Sequence, residues 1–348
     1  MSSVAVRDEL VIGVDIGGTK VAAGLVDPGG EILCHNRNPM VPNQGPASAL
    51  AAVTKAIETA SAQAISTAGK HNLIRGVGIC CPGPLDPTTG VIINPPNLPS
   101  WRNFPLAAEI AQIYRVRVKV DNDANAAGLA ETLWGSGRGY RNVFYATIGT
   151  GIGTAIVLDG HIYHGRTGAA AEGGHMTIDY NGPRCGCGKP GCIEVLASGP
   201  AIARRARAKL TAGQPSSLLD LAAGKPENVT SEMVGEAASA DDPAARDVLR
   251  ETIELLSFWF GNIIDLLEPD VMIVGGGVAS MLKPYFGQIQ DRLPGCCVNQ
   301  RCQEIPLLSA RYGEDAGIAG GAALCFDEAR NDTRPEPASG PAQALLGR

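Results

Sequence analysis

The chain has 348 residues, a formal net charge of −6, few aromatic side chains and many glycines, which suits two domains or one large α/β unit. The acidic balance and the lack of a basic stretch argue against nucleic acid as the main partner, and no apolar run is long enough to span a bilayer. Arg7, Asp8 and Glu9 interrupt the N-terminus where a secretory signal would be apolar, and the ten cysteines are mostly scattered, so a reducing cytoplasm is expected.

Residues 10–16 form a short apolar run ending in Asp15-Ile16-Gly17-Gly18-Thr19-Lys20. Residues 21–26 form a second run, and Asp27-Pro28-Gly29-Gly30 is a turn before a third at 31–35. The chain therefore opens as a β-meander with a glycine turn between its first two strands. That turn can offer backbone N–H groups and a hydroxyl to phosphate oxygens. It is not a P-loop, because the Gly-x4-Gly-Lys-Ser/Thr spacing is missing and a strand follows. Taken alone it reads equally well as a plain hairpin. Asp15, just ahead of it, can hold Mg2+ directly or through water, or merely cap the turn.

Residues 46–70 are Ala-rich with apolar positions at helical spacing. A buried strand follows at 74–80, then rigid proline loops at 81–87 and 94–99. Residues 104–114 read as helix and 116–120 as strand. Asp121-Asn122-Asp123-Ala124-Asn125 then opens an Ala-rich helix reaching about Trp134. Asp123, at this strand-to-helix junction, is the candidate general base, since an alcohol attacking a γ-phosphate needs an acceptor for its proton. Asn122 can donate to and accept from a hydroxyl. The competing reading is that Asp121 or Asp123 simply caps the helix.

Residues 143–162 can be laid over 11–30 without a gap, so that Thr147-Ile148-Gly149-Thr150-Gly151 falls on Asp15-Ile16-Gly17-Gly18-Thr19. Two copies of strand, glycine turn and strand suggest a duplicated fold whose turns face each other across a cleft; a chance match of glycine-rich hairpins is the alternative.

His175, Cys185, Cys187 and Cys192 follow, with Cys-x-Cys and Cys-x4-Cys spacings and glycines between them. Three sulfurs and one nitrogen make a ligand set for one tetrahedral zinc. No position is left for a reactive water, so the site reads as structural; reduced, metal-free cysteines are the alternative. Glu172 and Glu194 would be pinned by the same metal and form the wall of a pocket for a many-hydroxyl ligand.

Residues 199–209 look helical and 215–240 break into short helical pieces. Asp242-Pro243 is a strong helix start, the pattern runs to Leu267, and Pro269 stops it. A buried strand at 271–274 enters Gly275-Gly276-Gly277, where backbone can approach a flat ligand or a phosphate. Three glycine turns around one cleft suit a nucleoside triphosphate. Helices are expected at 281–292 and 314–326, and from Glu328 onward a disordered tail.

Together the segments 15–20, 122–127 and 148–153, with Glu172, Gly174, His175 and the Cys185–Glu194 cluster, resemble the ROK family, most closely its bacterial glucokinases. The match runs from about residue 10 to residue 326. The resemblance implies an α/β, actin-like ATPase (ribonuclease H-like) fold with two lobes around a central cleft. Residues 1–122 would form the N-terminal lobe, completed by the helix near 314–326, and residues 123–313 the larger lobe with the zinc loop. It implies ATP, Mg2+ and structural Zn2+, and Asp123 as the base for the sugar hydroxyl. Asn97, Asn122, Glu172, His175 and Glu194 become hydroxyl ligands, with His175 using one ring nitrogen for zinc and the other for the sugar. Gly17, Gly18, Thr19, Lys20, Gly149, Thr150, Gly151 and Gly275–Gly277 become the nucleotide contacts. The expected reaction is phosphorylation of a hexose, D-glucose first, with N-acetylmannosamine, N-acetylglucosamine or fructose as alternative acceptors and polyphosphate as an alternative donor. A sugar-sensing regulator without turnover is the reading from another class, although only about ten residues precede the first strand, which leaves a DNA-binding domain no place. A homodimer is the oligomer expected from the resemblance.

Overall fold

The computed structural model describes residues 9–40, 45–68, 74–96 and 98–331. Strands β1 (Leu10–Ile16), β2 (Lys20–Val26), β3 (Ile32–Pro39) and β4 (Ile74–Cys81) surround helix α1 (Pro46–Ala68) in sequence. A small hairpin, β5 (Leu85–Asp86) and β6 (Val91–Ile92), leads to α2 (Leu106–Tyr114), β7 (Arg117–Asn122) and α3 (Asp123–Leu133). Five strands form one sheet in the order β3-β2-β1-β4-β7, with β2 antiparallel to both its neighbours and the β1-β4 and β4-β7 pairs parallel. β1 is buried almost throughout, as expected of a central strand covered on both faces. β3 alternates half-buried and exposed positions, as expected at an edge.

The second half repeats that plan. Strands β8 (Val143–Ile148), β9 (Ile152–Leu158), β10 (His161–Ile162), β11 (Val271–Gly275) and β12 (Leu307–Ser309) pair in the order β10-β9-β8-β11-β12, with the same pattern of parallel and antiparallel neighbours. The internal echo is thus a repeat of sheet topology. The gapless overlay nevertheless slips by one residue after the turn. Ile16 pairs with Val21, leaving four residues in the first hairpin loop, whereas Ile148 pairs with Ile152, leaving three in the second.

Between β10 and β11 lie α4 (Ile193–Ala197), α5 (Gly199–Thr211), α6 (Leu218–Leu221), α7 (Ser231–Ser239) and α8 (Pro243–Leu267). α8 begins as its sequence dictates: the Asp242 carboxylate accepts from Ala245 N at 2.9 Å and Pro243 takes the first turn. Its buried face, including Leu256, Trp259, Phe260 and Ile263, is the spine of the second lobe's core. The helix expected at 281–292 is two, α9 (Gly277–Leu282) and α10 (Phe286–Arg292), joined by a single 3-10 turn at Lys283–Tyr285 that contains Pro284. The last helix, α11 (Ala316–Asn331), extends past Phe326 into the stretch expected to be disordered; the rest of that stretch lies outside the described residues.

α11 lies against β1, β4 and α3. The approach is tight: a Cβ at Gly13 would stand 1.8 Å from Ile318 O, and one at Gly78 would stand 1.7 Å from Gly321 O. Small residues here let a helix backbone rest on the sheet, and the C-terminal end of the chain thereby joins the N-terminal sheet. The two α/β lobes form an actin-like ATPase fold around a central cleft. Among the described residues, no helix is long and apolar enough to cross a membrane.

Candidate active site

β7 carries the chain to the start of α3, where three cap-capable residues stand in a row. Asn122 is the one that caps. Its Oδ1 accepts from Ala124 N at 2.9 Å and from Asn125 N at 3.3 Å. Asp121 is buried and accepts from Asn122 N at 2.7 Å and Asn125 Nδ2 at 3.1 Å, while its other oxygen meets His164 Nε2 at 2.6 Å. Neither aspartate is the cap, against the alternative weighed for them. Asp123 accepts from Ala124 N through its Oδ1 at 2.9 Å, and it is exposed. The protein crowded around it nonetheless desolvates the carboxyl and holds its pKa above the ordinary carboxylate range.

Asp15, at the end of β1, is also raised, first by desolvation and then by the negative charge of Asp123. The Cys80 thiol lies 3.6 Å from Asp15 Oδ1 and 3.2 Å from Gly317 O. The first hairpin then closes through Gly17 N to Lys20 O at 2.9 Å, and Met40 N reaches Thr19 O at 2.8 Å. Thr19 and Lys20 are exposed.

The second hairpin is tied more heavily. Gly149 N donates to Gly151 O, and Gly199 N to Gly149 O, each at 2.9 Å. Glu194 Oε2 accepts from Ile152 N at 3.0 Å. Gly276 takes a positive φ of 88° against Ile148, where a Cβ would stand 2.4 Å from the carbonyl oxygen. Gly149, Thr150 and Gly277 line a cavity of about 470 Å³ whose other walls include Pro200 and Arg207 of α5 and Thr230 and Glu232 at the start of α7. Sequence reasoning missed these four. Thr230 had a local signal, because it caps α7 through Met233 N. Arg207 had none: its guanidinium is fixed by the remote Val229 carbonyl at 2.7 Å.

Glu172 leads into a 3-10 turn at Gly173–His175. Gly173 is gripped from both sides, its N–H by Thr154 Oγ1 at 2.8 Å and its carbonyl by Trp259 Nε1 at 3.1 Å. A buried core tryptophan thus fixes the backbone that carries Glu172 and His175. His175 Nε2 lies 4.0 Å from Glu172 Oε2, and its Nδ1 lies 3.9 Å from Glu194 Oε1. The start of α3 packs on β9, where a Cβ at Gly153 would stand 3.1 Å from Ala124 Cβ, and the neighbouring Ile152 N is the group held by Glu194. Asn97 lies outside the described residues.

One nitrogen of His175 and the sulfurs of Cys185, Cys187 and Cys192 all lie within 4.8 Å of one another. His175 Nδ1 is 3.6 Å from Cys185 Sγ, and Cys187 Sγ is 3.6 Å from Cys192 Sγ. A tetrahedral zinc with ordinary bond lengths sets its ligand atoms about 3.5–3.8 Å apart; the donor set fits zinc, these two pairs already have its spacing, and the others lie within 4.8 Å. Nδ1 is the nitrogen facing the thiols, which leaves Nε2 on the side of Glu172.

The model of the ROK family matches residues 11–328. The glucokinase of Thermotoga maritima is 32% identical over 314 residues, covering 90% of this chain and 96% of that protein. The crystal structure of a ROK family glucokinase from Streptomyces griseus in complex with glucose and AMPPNP is similar with a TM-score of 0.76 and 34% identity, covering 90% of this chain and 98% of that one. A ROK family transcriptional regulator, a homologue of the E. coli MLC protein, superposes with a TM-score of 0.81 at 28% identity, covering 93% of this chain and 79% of that one.

Proposed function

The chain belongs to the ROK family, and from that premise we propose that it phosphorylates a hexose, D-glucose first, with ATP as the donor. The observation that carries this reading is Asp123. Asn122 does the capping, so the neighbouring carboxylate is spared that role, exposed and raised in pKa. A carboxylate can also simply hold a sugar hydroxyl, but one placed to take that hydroxyl's proton is what an alcohol attacking a phosphate needs.

Phosphoryl transfer depends mainly on positioning and on stabilising charge. The nucleoside would fill the cavity between α5, α7 and Gly277, with its phosphates over Gly149–Gly151 and the exposed Gly17–Lys20 turn. Asp15 would hold Mg2+ directly or through water. Asn122, Glu172, His175 Nε2 and Glu194 would grip sugar hydroxyls so that one of them faces Asp123, which takes its proton as the hydroxyl oxygen attacks the γ-phosphorus. Closing the lobes would keep water from competing as acceptor. Zinc on His175, Cys185, Cys187 and Cys192 would supply rigidity to that wall and no open coordination position.

Measured ADP release with glucose, N-acetylmannosamine, N-acetylglucosamine and fructose tests the reading. The highest kcat/KM is expected with glucose and ATP, because the cavity gives a nucleoside contacts that polyphosphate cannot use. Asp123→Ala should lose about 10²–10⁴ in kcat while sugar affinity stays within a few fold. No ADP with any hexose would favour the regulator reading, and normal turnover by Asp123→Ala would remove that residue from the role.

A further inference from the structure

The second sheet ends at β10, and Tyr163 N still donates to Ile156 O at 2.8 Å. The chain then leaves that sheet. Ala170 N returns to His164 O at 3.2 Å, closing a loop that contains two glycines at positive φ, Gly165 and Gly168. This loop reaches the first lobe twice. A Cβ at Gly168 would stand 2.8 Å from Pro87 Cδ, beside the β5–β6 hairpin. His164 Nε2 lies 2.6 Å from Asp121 Oδ2. The loop next passes Ala171, whose carbonyl accepts from the Thr154 hydroxyl, and delivers Glu172 and His175.

We propose that His164 is a positioning residue that locks the sugar-gripping strap to the start of α3. Asp121 is 4% exposed, and a buried carboxylate persists only when its oxygens are satisfied. Two of its donors, Asn122 N and Asn125 Nδ2, belong to its own corner of the first lobe. The imidazole is a donor from the second lobe. Asp121 also stands two residues before Asp123 and holds the backbone N–H of the capping Asn122. The same carboxylate therefore fixes the turn that aims Asp123 and receives the side chain that begins the strap to Glu172. Nothing in this requires His164 to touch a sugar or a nucleotide.

The consequence for turnover rests on Asp123 being the base. A misplacement of about 1 Å between acceptor hydroxyl and base can cost about 10²-fold in rate. His164→Ala should therefore lower kcat by about 10- to 10²-fold, raise the hexose KM less than kcat falls, and leave the ATP KM unchanged. More ATP should be hydrolysed per sugar phosphorylated, because a loosened strap admits water. His164→Gln, which returns an N–H donor to Asp121, should recover most of the loss. Simple destabilisation would instead lower the folded fraction, leave both KM values and the hydrolysis ratio alone, and show no rescue by glutamine; that pattern overturns the proposal.

A readout independent of activity separates this inference from the proposed reaction. In the unliganded protein, His164→Ala should speed hydrogen exchange both in residues 164–175 and in residues 121–126. Faster exchange in 164–175 alone would show that the strap is not tied to α3, whatever the enzyme phosphorylates. Wild-type protein inert towards every hexose would refute the base assignment, while the exchange pattern would still decide the tie.

Discussion

The two glycine hairpins occupy corresponding places in two sheets of the same strand order, yet they are held very differently. The first has a four-residue loop, an exposed Thr19 and Lys20, and one outside backbone bond, from Met40 N. The second has a three-residue loop held by Gly199 N, by the Glu194 carboxylate and by the close approach of Gly276. One strand end carries Asp15; its counterpart in the second sheet is Thr147. The same strand order thus carries two glycine turns that their packing makes different. One is an open loop beside a carboxylate, the place the proposed reaction gives to a metal-bound phosphate. The other is a fixed edge whose position is inherited from the His175–Glu194 segment.

That inheritance gives the largest expected effect. Structural zinc sites contribute on the order of 10 kcal/mol of binding free energy, so removing the metal, or Cys192→Ser, should release the loop that carries Glu194. Hexose phosphorylation should disappear, and hydrogen exchange should quicken in residues 149–153 and 172–194 while residues 11–26 keep their protection. Metal analysis of the purified protein should find zinc. A demetallated chain with unchanged sugar affinity would break the comparison, because the second hairpin would then owe nothing to the metal loop.

How much of this was written in the sequence follows from how local each cause is. Asp242-Pro243 at one end of α8 and Pro269 beyond the other act within a turn of the helix, and the helix starts and stops where they say. The gathering of His175, Cys185, Cys187 and Cys192 was legible because the four are close in sequence and glycines turn the chain between them. The one-residue slip between the hairpins was not, since Gly-Thr-Gly lies on Gly-Gly-Thr equally well and the loop length is settled by hydrogen bonds. In Asp121-Asn122-Asp123 the composition permits three caps. The choice falls to strand register, which keeps Asn122 paired with Cys81 at the last position of β7. Arg207 and His164 carried no signal at all, because Val229 and Asp121, the groups that give them meaning, are distant along the chain.

Glycine substitution sharpens the contrast at smaller scale. A Cβ at Gly151 would stand 2.6 Å from Glu194 Oε2, whereas one at Gly17 would meet nothing nearer than Lys20 O at 3.4 Å, an ordinary contact. Gly151→Ala forces the end of the Glu194 side chain to shift, and if that breaks its bond from Ile152 N the loss is about 1.5–3 kcal/mol. Gly17→Ala should stay within about 0.5 kcal/mol. Thermal unfolding of both variants without ligands measures the difference, and the hexose KM should rise for Gly151→Ala. Equal stabilities would mean that the second hairpin is no better anchored than the first.

The smallest effect concerns charge. Asp15 lies beside the open hairpin and feels the charge of Asp123, and both have pKa values raised above the ordinary 3.8, for each first by desolvation. A carboxyl whose folded value exceeds its unfolded value holds its proton more tightly when folded. Its contribution to stability is therefore complete below the unfolded value and is lost as pH rises through the folded one. At neutral pH the ionised Asp123 is a cost, which water in the open cleft partly screens. Asp123→Asn keeps an oxygen for Ala124 N and removes the charge. Without sugar, nucleotide or Mg2+, this variant should melt at a higher temperature than the wild type at pH 7, and the gap should close as pH falls below about 4. Thr147→Val at the matching strand end has no ionisation to remove, so any change in its melting temperature should not vary with pH over the same range. Wild type melting above Asp123→Asn at pH 7 would show that the carboxylate is well solvated there, and the open hairpin would lose the electrostatic feature that sets it apart from its twin.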